Sequence, residues 1–218
     1  MNSPLIQLLV LAGVAVFLIL KLRSVLGTRE GFEKPTIVRD AEPAPRRSFE
    51  VIEGGPDRDI TDHVPENSPA AQALAKMKKT DPDFAVSPFI QGARGAYEMI
   101  LMAFERGDLS SVKPFLSADV YNAFQSGIDA REAQGLTVEA NFIGISELGL
   151  NDAEFDNVTK EGEITLRFTG EFTYTVRDRA GAIIEGGPQN VKRQRDVWTF
   201  ARDMSSPDPN WALVATDE

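Results

Sequence analysis

Cysteine is absent from the 218 residues, which removes disulfides, thiolate metal sites and cysteine nucleophiles in one step. Histidine occurs once, as His63, and none lies in residues 84–218. The Gly-x-Ser-x-Gly pattern of a serine hydrolase is missing there too. Positive charge is also scarce: 23 Lys+Arg stand against 33 Asp+Glu, a net charge of −10. From Phe84 onward 12 basic residues face 21 acidic ones, so the C-terminal part holds −9 of it. Such a field repels phosphate backbones, and the one basic stripe, Lys192, Arg193 and Arg195, is too short to overcome it. No nucleic-acid partner is expected.

What the chain does have is a long apolar run at its start. Sixteen residues from Leu5 to Leu20 carry no charge and a single polar side chain, Gln7, and the run continues past Lys21 and Arg23 to Gly27. Spanning a hydrocarbon core takes about 20 helical residues, and snorkelling by Lys21 and Arg23 brings residues 1–26 to that length. A cleaved signal peptide would carry its basic residues before the apolar stretch. Here none precedes Leu5, whereas Lys21, Arg23, Arg29 and Lys34 follow Leu20. The segment is therefore expected to be a retained single-pass anchor, with the C-terminal domain facing the cytoplasm or an equivalent compartment such as a mitochondrial matrix.

Residues 27–83 are poor in apolar side chains and contain seven prolines between Pro35 and Pro82. This composition predicts a disordered tether. Pro69 to Lys79 is the exception, with good helix formers behind Ser68 as N-cap and Pro69 as first helical residue. The spacing predicts a short helix there, transient and without a partner. His63 sits inside the tether, where nothing would fix a second shell around it, and is assigned no role.

Beyond Phe84 the pattern becomes that of a packed domain. Phe89, Ala93, Ala96, Tyr97, Ile100 and Phe104 recur at three- and four-residue spacing, an amphipathic helix ended by Gly107-Asp108. A short helix over Leu109 to Leu116 and a third helix with Val120, Tyr121, Phe124 and Ile128 on one side follow, closed by Gly135. The period then changes to two. Ile164, Leu166, Phe168, Phe172, Tyr174 and Val176 alternate with polar residues in a half-buried strand, with Gly170 as a bulge. A return strand over Ile183 to Asp203 is broken at Gly186-Gly187-Pro188, and Trp211 to Ala215 forms a last one. The expected class is α+β, three helices packed on a curved antiparallel sheet as a cone.

The stretch from Gly92 to Gly135 carries a Gly-Ala-x-x-Ala-Tyr-Glu helix, an Ala-Phe-x-x-Gly-Asp turn and a Leu-Ser-x-x-Val-Tyr-x-x-Phe run. It resembles the Tim44-like domain family, and the likeness continues through VRDRAGAIIEGGP and DVWTFARDMSSPDPNWALVAT, covering about residues 84–217. The layout of anchor, tether and domain is similar to the alphaproteobacterial TimA type. The resemblance implies a fold like the nuclear transport factor two superfamily, with a hydrophobic concavity between helices and sheet. It also implies a scaffold role at the inner membrane, with protein partners and lipid contact. The chain departs from the mitochondrial pattern by its own apolar anchor and by lacking a long basic N-terminal region, the part that would recruit a chaperone.

The candidate binding surface is the facing pair of apolar stripes, Tyr97, Ile100 and Phe104 on the helix and Phe168, Phe172 and Tyr174 on the strand. No catalytic residue, cofactor or metal is expected. A Tyr paired with a carboxylate is the enzyme alternative, but Glu98 points about 100° away from Tyr97 and Glu171 lies on the strand face opposite Tyr174. A small-ligand or enzyme domain using the cone cavity, and a domain that only dimerises through its sheet, are the other readings. The topology has a direct test. Protease added outside intact cells should leave the C-terminal domain uncut, and the mature chain should keep its full mass rather than be shortened by cleavage near residue 26.

Overall fold

The computed structural model describes residues 55–217. The expected anchor and the first half of the tether lie outside the described residues, and among the described residues no helix is long and apolar enough to cross a membrane. Four α-helices precede a four-stranded sheet. They are α1 (Arg58–Thr61), α2 (Pro69–Thr80), α3 (Val86–Arg106) and α4 (Ala118–Gln134), with a 3-10 turn at Lys113–Phe115 between the last two. The strands β1 (Thr137–Phe155), β2 (Glu161–Arg177), β3 (Ile183–Asp203) and β4 (Ala212–Asp217) form an antiparallel meander in the order β1-β2-β3-β4. The α+β class follows from this, and the expected helix over Leu109 to Leu116 is reduced to the three-residue turn.

The even-numbered residues of β2 face the helices. Ile164, Leu166, Phe168 and Phe172 are fully buried, while Thr165, Arg167 and Thr173 turn outward. Strand β1 is irregular. Its core-facing residues are Ala140, Phe142, Ile145, Leu148, Leu150 and Ala153, and a register shift falls in each three-residue gap, between Phe142 and Gly144, Ile145 and Glu147, and Leu150 and Asp152. Each bulge inserts one residue and bends the strand, which supplies the curvature of the sheet. The break at Gly186-Gly187 is present as well: Thr173 pairs with Val191 while Thr175 pairs with Gly186. Gly186 and Gly187 take φ of 73° and 151°, which side chains with a Cβ rarely adopt.

The tether expectation fails over residues 57–83. Helix α2 forms where its sequence predicts, with Ser68 Oγ accepting from the Ala71 N–H at 3.1 Å. It has a partner, however. Leu74 and Met77 are completely buried, and Met77 Sδ and Cε lie 3.1 Å from where a Cβ on Gly162 of β2 would stand. Apolar residues this few looked insufficient only because their burial surface is supplied by the sheet. Burying them contributes about 1.5–3 kcal/mol each.

Charge fastens the same segment at two points. Helix α3 begins at Ala85, which has no side chain to cap with, and Asp59 of α1 takes that role from 27 residues upstream. Its Oδ2 accepts from the Val86 N–H at 2.7 Å and its Oδ1 from the Ser87 N–H at 2.9 Å. Lys78 of α2 donates to Asp59 at 3.0 Å and to Asp57 at 2.6 Å. Burial pushes the Asp59 carboxyl up, but the two backbone N–H groups and the lysine outweigh it and hold the acid well below the usual range. At the other end Arg202 Nη2 of β3 donates to Asp81 Oδ2 at 2.5 Å, both side chains nearly buried. His63 is placed by this arrangement too, its Nε2 lying 3.0 Å from Ser87 Oγ.

Residues 57–83 therefore belong to the folded unit. A chain beginning at residue 55 should unfold cooperatively in urea, and one beginning at residue 84 should lose roughly 3–6 kcal/mol from Leu74 and Met77 alone. Asp59→Ala should cost about 1–2 kcal/mol at neutral pH. Because the folded acid titrates below the unfolded one, this contribution is full above pH ~4 and declines as pH falls further. Urea midpoints of the parent and variant should then converge in strong acid.

Candidate functional site

The centre of the cone is built on one ring. Tyr97 projects from the middle of α3 and stacks on Phe168 of β2 with centroids 4.4 Å apart and planes 8° from parallel. Trp198 of β3 and Phe142 of β1 close around it at 4.8 and 6.3 Å. No part of Tyr97 reaches solvent. Its hydroxyl donates to Asp196 Oδ2 at 2.5 Å, and Asp196, itself buried, accepts at Oδ1 from Gln194 Nε2 at 2.9 Å. Burial, then the neighbouring carboxylate, pushes the Tyr97 hydroxyl far above its ordinary pKa, so it stays protonated and serves as a donor.

Gly170 explains how the hydroxyl fits. It is in register with Ile145 and Gln194, so the expected bulge lies across the ladder in β1. What the glycine provides is room: a Cβ there would stand 2.5 Å from the Tyr97 oxygen. Asp196 escaped the sequence reading although its signal was available. It shares strand parity with Trp198 and Phe200, so it had to face the core.

The six candidate residues do not line one concavity. Tyr97, Phe168 and Phe172 are completely buried and fill the space between α3 and the sheet. Phe104 packs against Phe124 of α4, with the Arg131 guanidinium 4.6 Å from its centroid. Tyr174 is half-buried at the wide end of the sheet, where its hydroxyl donates to Glu185 and the Lys192 ammonium sits 5.2 Å from its ring. Of the six, Ile100 alone lines an opening, and that opening lies beside α3, between the helix, Phe200 and Arg202 of β3 and the Pro209–Trp211 segment.

There a groove of about 430 Å³ runs along the N-terminal half of α3. Phe84, Phe89, Gly92, Ala96, Phe115 and Trp211 form its apolar walls, with Asp83, Arg202 and Asn210 as polar members. Phe89 and Trp211 have ring centroids 4.6 Å apart, and Phe84 lies 5.7 Å from Trp211. At Gly92 a Cβ would meet nothing within 4 Å, so the helix backbone is open to whatever enters. Met99, 40% exposed, stands at one end. Among the described residues no cluster of carboxylates and histidines has the arrangement of a metal site.

Comparison with known proteins places these features in context. A family described as "Tim44-like domain" matches residues 70–218, from the start of α2 to the end of the chain. The mitochondrial import inner membrane translocase subunit TIM44 of Rattus norvegicus is 24% identical over 148 residues, covering 66% of this chain and 32% of that protein. The Homo sapiens protein of the same name gives the same figures. TIM44-1 of Arabidopsis thaliana is 21% identical over 143 residues, 66% of this chain and 30% of that protein. This chain thus spans about a third of the length of these relatives. Among solved structures, the intermembrane space region of the chloroplast protein ARC6 aligns over 59% of this chain and 94% of that one, at 8% identity and a TM-score of 0.39.

The central pair yields a coupled prediction. Tyr97→Phe should cost about 1–3 kcal/mol, because Asp196 loses its buried donor. Gly170→Ala should cost about as much through overpacking against the hydroxyl. Combined, the two should cost less than their sum, since removing the hydroxyl removes the clash. The parent should also lose stability as pH rises above the ordinary tyrosine value of 10.0, where the unfolded hydroxyl ionises and the folded one does not. Tyr97→Phe should flatten that alkaline limb in urea titrations.

Proposed function

Because this chain belongs to the Tim44-like domain family, we propose that it is a membrane-anchored, non-catalytic scaffold in protein transport or the assembly of membrane complexes. Its C-terminal domain holds a protein partner or lipid at an inner membrane. The observation that carries this reading is the contrast between the sealed centre of the cone and the open groove beside α3. The polar pair in the cone, Tyr97 with Asp196, is sealed by stacked rings and offers no room for a substrate, while the open surface of the helix is apolar. An exposed apolar groove is what a binding module presents, and a catalytic pair needs access to its reactant.

The relatives carry the name of an import translocase subunit, which favours transport over other scaffold roles. The apolar run from Leu5 to Leu20 with its basic flank supports a single-pass anchor with the domain facing the cytoplasm, the layout of the alphaproteobacterial TimA type. The tether expected between anchor and domain gives up residues 57–83, which are folded with the domain.

A photoreactive amino acid at Met99, at the end of the groove, should form discrete protein cross-links in intact membranes. Tyr97→Phe in the same background should leave the cross-link pattern unchanged. A turnover that Asp196→Asn abolishes in folded protein would replace the scaffold reading with an enzymatic one.

A further inference from the structure

Strand β3 runs from Ile183 to Asp203, but β4 covers only Val197 to Ala201 of it. Ahead of that stretch β3 has β2 on one side and, among the described residues, no strand on the other. The open row stops at the Gly186-Gly187 break, where the Asn190 amide turns back onto the Gly186 carbonyl at 3.1 Å. From Val191, opposite Thr173, to Asp196, opposite Phe168, the register with β2 is unbroken. Alternate residues of such an edge point their main-chain N–H and C=O away from the sheet. What satisfies donors and acceptors repeating at strand spacing is another extended main chain, and a lipid or small apolar molecule lacks that repeat.

The side chains beside this edge say which main chain. Lys192, Gln194 and Asp196 lie on the face toward the helices, as the burial of Asp196 and the contact of Lys192 with the Phe172 ring fix, so Val191, Arg193 and Arg195 lie on the outer face. Arg193 is shared between Glu147 at 3.1 Å and Glu171 at 3.9 Å. Arg195 and Lys192 are exposed and have no ion-pair partner among the described residues, in a domain otherwise rich in acid. Val191, 58% exposed, adds an uncovered aliphatic side chain at the start of the row. Pairing this stretch antiparallel with itself would set Lys192 against Arg195, the repulsion by which charged edges exclude their own copies. The same charges attract a strand of opposite sign.

From these features we infer that Val191 to Asp196 of β3 is a docking edge for an extended acidic segment of a partner protein. The segment adds antiparallel to β3, in line with β4, with carboxylates two residues apart opposite Arg195 and Arg193 and an aliphatic residue opposite Val191. The inference rests on the reading of the domain as a holder of protein partners and gives it a surface separate from the groove.

The probe is an amidated heptapeptide, Thr-Glu-Thr-Glu-Thr-Val-Thr, with a neutral dye on its N-terminus, titrated against the full chain in phosphatidylcholine nanodiscs. Its anisotropy should rise saturably, and hydrogen exchange should slow in Val191 to Asp196 and not along α3. Arg195→Glu should weaken binding by about tenfold or more with an unchanged melting temperature, because the side chain is exposed and unpaired. Arg94→Glu makes the same charge change at an exposed position of α3 and should leave binding unchanged. Two further peptides, N-methylated at the odd or at the even positions, keep the charge but each lose the N–H groups of one strand side; one should bind as the parent does and the other not at all. Absence of saturable binding overturns the inference, as do methylated forms that bind alike, which would show charge attraction without strand pairing. Slowed exchange at 191–196 that grows with the concentration of the free chain would assign the edge to a second copy. Slowing there by phosphatidylglycerol nanodiscs and not by the peptide would assign it to lipid headgroups, and either result overturns the inference. Cross-links from Met99 on α3 test the scaffold reading independently, so missing peptide binding with those cross-links intact would sink the docking edge alone.

Discussion

The hydrogen bond from Tyr97 to Asp196 decides where α3 lies on the sheet. A hydroxyl buried beneath a glycine and tied to a carboxylate on the neighbouring strand leaves the helix one rotation and one height. The helix ends are then held by different means. Asp59 captures the first N–H groups, and Gly107 closes the last turn in a left-handed conformation with φ of 78°. With Tyr97 committed to the cone, α3 leaves its flank from Pro88 to Met99 beside the groove. Both the sealed polar pair and the open groove follow from that single orientation.

The N-terminal strap extends the same logic. Helix α2 is short and would be marginal in water by itself. It persists because Met77 fits over Gly162 and because Asp81 and Lys78 each find a charged partner across the fold. Exposed ion pairs stabilise little, but the Asp81–Arg202 contact is nearly buried, and breaking it would strand a charge. Its geometry also spends one side of the Arg202 fork on the strap.

Much of the domain was legible in the residues. The stripes of α3 and α4, the even-numbered face of β2, the break at Gly186-Gly187 and the Ser68-Pro69 start of α2 all rest on local chemistry. Strand β1 was not legible, because three bulges change its parity and leave no run of strict alternation. The strap was misread for a related reason: a capping carboxylate 27 residues from the helix it caps, and a methionine seated on a distant glycine, leave no local pattern. The candidate surface was half legible. Of the six residues chosen for it, Tyr97, Phe168 and Phe172 fill the core, because a stripe facing a stripe packs solid, and Ile100 is the one that lines the groove.

The bulges of β1 have a bearing on assembly. An edge strand nineteen residues long presents a row of free N–H and C=O groups on which another chain could polymerise. Three interruptions in β1 break that row into pieces too short and too bent to template a straight neighbour. At the opposite edge, β4 is guarded by its own chain, where Leu116 bridges to Leu213 and the Ser117 N–H takes the Leu213 carbonyl at 2.9 Å. Strand addition is disfavoured at those two margins, while β3 from Ile183 to Asp196, which β4 does not cover, keeps a long edge on which another strand could pair.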